Sequence, residues 1–484
     1  MAAEAATVAA FDVPYDASGV AGHPRGLLTL ALTEMWERMS YYGMRALLIL
    51  FMTAPLAAGG LGLATDVAAG IYGMYTSAVY FTAIPGGWIA DRLLGARQSV
   101  LWGGILIALG HFSLFLERLP FFYGGLVLIV LGTGLLKPNI SAIVGQLYSA
   151  EDKRRDAGFS IFYMGINAGA ALGPIVCGFL QVEVSWKWAF GAAGIGMTFG
   201  VIQYAFGRRQ FPGPDRVENP SETPGLLWAG VLGGLLALAA MFYFLWNYRD
   251  YIMLVGTIAL FVWFWTLSSP GIERKRLLAI IVLFVFSTLF WGGFEQAGSS
   301  FNLFADRFTD RHAFGWEIPT PLFQALNSIF LVLLAPVLTI LWLRLGTREP
   351  SSPAKFSWAL VFMGLGFLIV AGASLLMVRT GAGKVSIWWL VSVYLCHTIG
   401  ELCLSPVGLS TVTKLAPARL VSMMLGVYFL AISLGNFIGG RIAGLFEKFP
   451  LPQLFGAVFL TALVSAIVLA LLVKPIRKLM SGVH

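Results

Sequence analysis

The chain has 484 residues, of which 58% are hydrophobic and only 12% are charged, and its formal net charge is +8. The mean hydropathy is +0.80, and a soluble protein of this length would carry about twice this charged fraction. The composition therefore excludes an ordinary soluble enzyme. It predicts an all-α membrane protein, because the long apolar segments lack the residue-by-residue alternation of a membrane β-barrel. The basic residues lie in short loops between these segments, which argues against nucleic-acid binding.

Apolar segments of about 20 residues, the length that a membrane-spanning helix needs, follow one another along the chain. We predict fourteen transmembrane helices, at 26–53, 67–92, 97–117, 121–147, 157–181, 187–206, 224–246, 251–268, 276–305, 319–345, 356–378, 385–414, 419–445 and 451–474. About two thirds of the Lys and Arg residues fall on one side of this array, which predicts that both termini are cytoplasmic. We expect a multi-pass protein of the cell (inner) membrane.

The fourteen helices divide at the most polar and proline-rich linker, 208–224. The two helices that follow carry no charged side chain except Arg249 and Asp250 in their connecting turn, which is typical of an inserted hairpin that faces lipid. With the linker and hairpin set aside at 207–275, two six-helix halves remain, at 26–206 and 276–474. This arrangement resembles the major facilitator superfamily.

The first predicted helix carries polar side chains on a single arc of about 140°. These side chains are Glu34, Glu37, Arg38, Tyr41, Tyr42 and Arg45. An ionised residue near the bilayer centre costs about 2.5–3.5 kcal/mol on insertion scales, so four of them cannot face lipid. We therefore predict that this helix lines a water-filled pathway.

The segment Gly86–Arg97 (GGWIADRLLGAR) follows the second predicted helix and resembles the loop motif of major facilitator transporters. Gly87 would permit a tight turn. Asp91 with Arg92 and Arg97 would tie neighbouring helix ends together by charge pairs, which is a gating role. The alternative is a basic loop that only sets orientation in the membrane.

Lys137 lies inside the fourth predicted helix, next to Pro138, which bends the helix and frees a backbone carbonyl. An intramembrane Lys needs an anionic partner, and the candidates are Glu34 and Glu37 in the same half and Glu295 in the other. Snorkelling of the ammonium to the membrane surface is the alternative.

The second half carries its own polar groups. Glu295 follows a Gly-Gly break, Asn327 lies in the next helix, and Glu401 comes four residues before Ser405. We expect Pro406 to interrupt the helix at Ser405, which would place a hinge beside a buried carboxylate.

Two further polar groups are open to two interpretations. The Asn167 amide, among small residues, would either bind a ligand or hydrogen-bond a neighbouring helix. His397, four residues before Glu401, would be either a hydrogen-bonded structural histidine or a second titrating group.

At ExxERxxYY (Glu34–Tyr42) the chain resembles the proton-dependent oligopeptide transporter (POT) family. GTGLLKPN, FYMGIN, FEQ and GELCLSPVG repeat that family's other signatures in the same order, over nearly the whole chain. The resemblance implies two extra helices between the halves, as in bacterial members. It also implies that the short loop 379–384 leaves no room for the extracellular domain of animal members.

Residue roles follow from the resemblance by position. Those for proton coupling are Glu34, Glu37, Arg38, Lys137 and Glu295, with Glu295 pairing with Lys137 across the halves. Those for the peptide carboxylate are Arg45, Lys137 and Tyr42. Those for the peptide ammonium are Asn167, Asn327 and Glu401. Tyr41, Tyr80 and Ser405 would line the pocket, and Tyr428 stands where the family usually has Trp, which would change side-chain selectivity.

The predicted function is proton-coupled symport of di- and tripeptides by alternating access. The chamber residues carry four carboxylates and three cations, so one proton, on Glu37 in our interpretation, makes the chamber neutral. No cofactor is expected besides the coupling proton, and the carrier is expected to work as a monomer in the lipid bilayer. The alternatives are a proton-coupled carrier of another small anion such as nitrate or an organic acid, a membrane enzyme and a channel.

Overall fold

The computed structural model describes residues 16–149, 152–212, 249–313, 315–417 and 421–481, with the single positions Gly225, Ala229 and Gly233. The apolar segments fold as helices because lipid offers no hydrogen-bond partner to an exposed backbone. In the first half the helices are α1 (Arg25–Thr53), α2 (Thr65–Phe81), α3 (Ala83–Ile89), α4 (Ala96–Leu114), α5 (Leu119–Gln146), α6 (Arg155–Glu183) and α7 (Trp186–Gly207). After them come α8 (Arg249–Leu267), α9 (Ile272–Phe294), α10 (Ser300–Phe308), α11 (Ala325–Leu345), α12 (Ser352–Thr380), α13 (Trp388–Leu415), α14 (Val421–Ala443) and α15 (Leu451–Leu479).

The predicted fold class, an all-α membrane protein of the major facilitator type, is confirmed. In the described part of the chain, eleven helices are long and apolar enough to cross a membrane. Helix α1, with its charged arc, has 29 residues and is also long enough to cross. Apart from Gly225, Ala229 and Gly233, the helix predicted at 224–246 lies outside the described residues, and the domain limits 26–206, 207–275 and 276–474 stay a prediction.

Each half packs chiefly with itself. Helix α1 lies against α6 and α7, and α12 lies against α13 and α15. The halves meet where α2 runs along α14 and where α6 meets α11. The Ser77 and Ser433 hydroxyls, 2.9 Å apart, join α2 to α14 inside this seam.

Two predictions of broken helices have different outcomes. Helix α9 ends at Phe294, directly after Gly292-Gly293, and a 3₁₀ turn (Glu295–Gly298) leads into α10, so the chain breaks at the predicted carboxylate. The predicted interruption at Pro406 is wrong, because α13 continues through it to Leu415. A proline removes one backbone donor, and the remaining hydrogen bonds and the packing of α13 keep the helix continuous.

The two halves are joined at the end of the bundle where α1 ends and α2 begins, which we call the closed end. The Glu447 carboxylate accepts hydrogen bonds from Thr65 Oγ1 (2.6 Å) and Arg307 Nη1 (2.5 Å). Lys448 Nζ lies 2.7 Å from Asp66 Oδ2. Since Thr65 and Asp66 belong to the first half and the others to the second, these contacts lock the halves together here.

Short strands also lie in the second half. β1 (Thr309–Asp310) pairs in parallel with β4 (Val385–Ser386), and β2 (His312–Ala313) forms a hairpin with β3 (Trp316–Glu317). The Trp316 ring stacks on Phe179 of α6, with centroids 5.7 Å apart. The hairpin therefore adds an apolar contact between the halves.

Candidate functional site

The charged arc of α1 is buried, as its pattern predicts. Glu34 and Arg38 are each 3% exposed and Glu37 is 0% exposed. Arg38 Nε lies 3.1 Å from Glu34 Oε1, the i, i+4 pair that the spacing favours, and it also donates to Glu37. One oxygen of Glu34 and one of Glu37 have no hydrogen-bond partner within the described residues. A buried carboxylate oxygen without a donor is costly while it is ionised, and a bound proton would remove the charge and with it most of that cost.

Arg45 joins the two halves. Its Nη2 lies 2.5 Å from Glu295 Oε2, in the 3₁₀ turn after α9, and its Nε donates to the Tyr72 hydroxyl at 2.7 Å. Arg45 and Glu295 are both 4% exposed. The Tyr42 ring lies beside the guanidinium, 5.6 Å from ring centroid to Cζ. The planar guanidinium bonds the two partners through separate nitrogens held in a rigid fork.

The close approach at this bridge depends on Gly298. A Cβ atom added there would come within 1.8 Å of the Tyr72 hydroxyl and 3.1 Å of Arg45 Nε. The glycine therefore lets the turn of the second half lie directly against α1 and α2.

Lys137 does not form the predicted pair with Glu295. No Asp or Glu oxygen of the described residues lies within 4.0 Å of its ammonium. The ammonium instead lies over the Tyr80 ring, 4.1 Å from the centroid, and 5.9 Å from the centroid of Phe429. Glu295 is held by Arg45 because the turn that carries it packs against α1.

In the second half, Asn327 and Glu401 form a unit. Asn327 Nδ2 donates to Glu401 Oε2 (2.9 Å) and lies 3.1 Å from Thr398 Oγ1. Both residues of the pair are partly exposed, unlike the α1 carboxylates. The amide fixes one carboxylate oxygen of Glu401 and leaves the other free to accept from a cationic ligand.

The remaining pocket candidates are distributed around these groups. The Tyr428 hydroxyl donates to the Ser405 carbonyl at 3.3 Å, so two residues that the resemblance places in the pocket are in contact. Tyr41 is 1% exposed and its ring stacks on that of Tyr75. Asn167 Nδ2 donates to the Tyr163 carbonyl of its own helix, so no contact in the structure decides between its two interpretations.

His397 behaves as a structural residue. Its Nε2 lies 3.2 Å from the Met363 carbonyl, and the ring packs among Phe294, Phe301 and Phe367. It makes no hydrogen bond to Glu401 in the described part of the chain.

Within the described residues, the charge pair predicted between Asp91 and Arg92 of the Gly86–Arg97 motif is not formed. Gly87 lies in α3, and the chain continues as a wider helical turn over Ala90–Leu94 instead of forming a loop. Asp91 and Arg92 are exposed, and neither has an ion pair within the described residues. Arg97 instead donates to the Arg208 carbonyl at 2.5 Å, because the start of α4 packs beside the end of α7.

Two residues of the site were missed by the sequence reasoning. Tyr72 bonds Arg45, and Phe429 lies beside Lys137. Tyr72 and Tyr80 are eight residues apart on α2 and share a helix face, a spacing that would have pointed to Tyr72. Phe429 carries no such signal, because an apolar ring on a membrane helix usually faces lipid or core.

The described residues contain no group of three or more His, Cys, Asp or Glu side chains placed to hold a metal ion. The site is thus a set of buried cations and carboxylates contributed by both halves. Such an arrangement can bind a zwitterion through its two charged ends and can exchange a proton.

Comparisons with known proteins point to one family. The POT family model matches residues 97–458. Peptide transporter YePEPT of Yersinia enterocolitica subsp. palearctica is 39% identical over 494 residues, covering 95% of this chain and 96% of that relative. The di-/tripeptide transporter of Lactococcus lactis subsp. lactis is 38% identical over 490 residues, covering 96% and 98%. A crystal structure of a point mutant of peptide transporter POT, in complex with alafosfalin, matches with a TM-score of 0.88 at 38% identity, covering 97% and 98%.

Proposed function

Because this chain belongs to the POT family, we propose that it is a proton-coupled symporter that imports di- and tripeptides by alternating access. The observation that carries the proposal is the Arg45–Glu295 ion pair, which joins the two halves through groups that a peptide and a proton would compete for. A membrane enzyme and a channel do not fit a family of carriers.

Peptide recognition follows from the separation of charge between the halves. Arg45 and Lys137 belong to the first half and suit the peptide carboxylate, whereas Glu401, fixed by Asn327, belongs to the second half and suits the peptide ammonium. A substrate with both charged ends would draw the halves together. Tyr41, Tyr42, Tyr80 and Tyr428 offer walls that make few directed bonds, which suits variable side chains.

Proton coupling follows from the charge of the chamber. Glu34, Glu37, Glu295 and Glu401 against Arg38, Arg45 and Lys137 leave one negative charge in excess when all are ionised, and a zwitterionic peptide does not change that total. One proton makes the chamber neutral, and its entry is driven by the membrane potential, at about 2.3 kcal/mol per charge and 100 mV. We assign this one proton to two of the carboxylates that pair with arginine, which it would occupy in turn: Glu37 beside Arg38 and Glu295 beside Arg45. A proton on Glu295 would release Arg45 for the peptide carboxylate.

We place the carrier in the cell (inner) membrane with both termini in the cytoplasm, on the distribution of Lys and Arg between the loops. The closed end then faces outward. Transport as a monomer fits a site built from both halves of one chain.

A carrier of nitrate or of an organic acid is the alternative function. Glu401 argues against this alternative, because an anion would not be stabilised by a carboxylate that Asn327 holds in place. The test is uptake of a labelled dipeptide into proteoliposomes, with and without an imposed inward proton gradient and with nitrate as competitor. We expect accumulation only with the gradient, competition by unlabelled dipeptide and none by nitrate. Gradient-independent uptake or strong inhibition by nitrate would contradict the proposal.

A further inference from the structure

The Lys137 ammonium is held by aromatic rings and not by a carboxylate of the described residues. It lies 4.1 Å from the Tyr80 centroid and 5.9 Å from the Phe429 centroid. Both distances are within the range of about 6 Å over which a cation is attracted to the face of an aromatic ring. The attraction is stronger for a desolvated cation, and Tyr80 is itself only 7% exposed.

The two rings belong to different halves of the carrier. Tyr80 lies on α2 and Phe429 on α14, the helices that form the seam between the halves. One turn away on the same two helices, the Ser77 and Ser433 hydroxyls meet at 2.9 Å, and Ser433 also donates to the Ser77 carbonyl. These bonds fix the relative position of α2 and α14, and so fix the two rings around the ammonium.

We propose that Phe429 is a positioning residue for Lys137, and that its ring competes with the substrate carboxylate for the ammonium. The inference rests on the proposed function, in which Lys137 binds the peptide carboxylate. The contact with Phe429, at 5.9 Å, lies at the limit of the cation–π range, so an ammonium that moves towards a carboxylate loses it, and carboxylate binding draws Lys137 away from Phe429. Substrate binding in the first half is thereby linked to a side chain of the second half.

The competition makes an unusual prediction about affinity. Phe429→Leu keeps an apolar side chain but removes the ring, so the cation–π contact from α14 is lost. Dipeptide binding should therefore tighten, by about threefold given the usual strength of a cation–π contact. General damage to the pocket would instead weaken dipeptide binding.

The experiment measures dipeptide affinity of purified full-length protein at one mildly acidic pH, by calorimetry or by competition against a labelled dipeptide. The matched ligand is the same dipeptide with a C-terminal carboxamide, which offers Lys137 no anion and whose affinity should not change in Phe429→Leu. Phe429→Tyr restores a ring and should return the wild-type value. Phe437→Leu, two turns further along α14 and equally apolar, is the control variant and should leave both affinities unchanged.

Unchanged or weakened dipeptide binding in Phe429→Leu would overturn the inference, and so would an equal change for the carboxamide. If Phe429→Leu does not fold, replacing Phe429 with pentafluorophenylalanine reverses the charge distribution of the ring at nearly constant shape. It should tighten dipeptide binding alone, and no effect there would equally overturn the inference. Failure of the wild-type protein to bind dipeptide would instead contradict the proposed function.

Discussion

Glu37 has no exposed surface, and within the described residues the one side chain that donates to its carboxylate is Arg38 of its own helix. In our account a proton reaches this carboxylate before the chamber closes around the peptide. Glu37→Gln mimics the protonated state permanently, so the driving force of the proton gradient should be lost while the peptide site persists. We expect no uphill uptake, with peptide exchange across the membrane retained.

The measurement is gradient-driven uptake and counterflow in the same proteoliposomes. Glu183→Gln, at the exposed end of α6 and away from the site, is the control and should behave as wild type. Uphill uptake that survives in Glu37→Gln would show that the proton acts elsewhere.

Among the described residues, Asn327 bonds one oxygen of Glu401 and the other accepts no hydrogen bond, and we expect this second oxygen to bind the peptide ammonium. Glu401→Gln preserves the shape but removes the charge. A hydrogen bond to a charged group contributes about 1.5–3 kcal/mol, so the KM for a dipeptide should rise at least about tenfold. An N-acetylated dipeptide, which has no ammonium, should show the same KM in both proteins, and an equal rise for both substrates would refute the assignment.

At this scale the sequence predicted which residues are buried more reliably than which residues pair. Glu34 and Arg38 lie four residues apart on one helix, so their contact follows from helix geometry. Arg45 and Glu295 are 250 positions apart, and their pairing depends on how the halves dock. Spacing along the chain carries no information about that docking, and the pairing of Glu295 with Lys137 came from the family resemblance instead.

Among the elements, the 3₁₀ turn between α9 and α10 leaves little room for an added side-chain atom. Gly298→Ala would place a methyl group 1.8 Å from the Tyr72 hydroxyl, so Tyr72 and Arg45 must move and the bridge to Glu295 must loosen. We expect uptake to fall by about tenfold or more, because a misplacement of about 1 Å at a site can cost as much as a hundredfold. Gly256→Ala on α8, where an added methyl meets no atom within 4 Å, should leave uptake unchanged. Normal uptake by Gly298→Ala would mean that the bridge is not required.

The helices themselves were predicted closely, since long apolar runs leave the backbone no alternative in lipid. Pro406 shows where local rules fail. A proline in a soluble peptide ends a helix, but in α13 the surrounding helices and the lipid keep the chain helical on both sides of it. Gly87 was likewise expected in a turn, but it lies within α3, because the backbone within the membrane stays helical there as well.

For the whole molecule, the chamber can open at the closed end only when the contacts there between the two halves break. The Thr65 hydroxyl first, and then Arg307, hold the pKa of the Glu447 carboxyl below its ordinary value of about 4.3. A lowered pKa means that the contact stabilises the closed end at neutral pH and is lost only as the pH falls through that lowered value. Mild acidification, which supplies protons to the carrier, should therefore leave this contact closed.

Spin labels at Leu56→Cys and Phe449→Cys, both exposed and on opposite halves, would report the distance across the closed end. We expect one short distance at neutral and mildly acidic pH, and a longer or broader distribution in Glu447→Gln at both. A wild-type distance that lengthens in mild acid, or a Glu447→Gln distance equal to that of wild type, would be inconsistent with this lock.

The most direct test of the whole account is the current that a zwitterionic dipeptide produces in proteoliposomes adsorbed on a solid-supported membrane. The dipeptide itself carries no net charge, so any current reports the protons that enter with it. We predict an inward positive current that grows as the outside is acidified and that disappears in Glu295→Gln. Dipeptide uptake without current in the wild-type protein would contradict the claim that a proton completes the charge of the chamber.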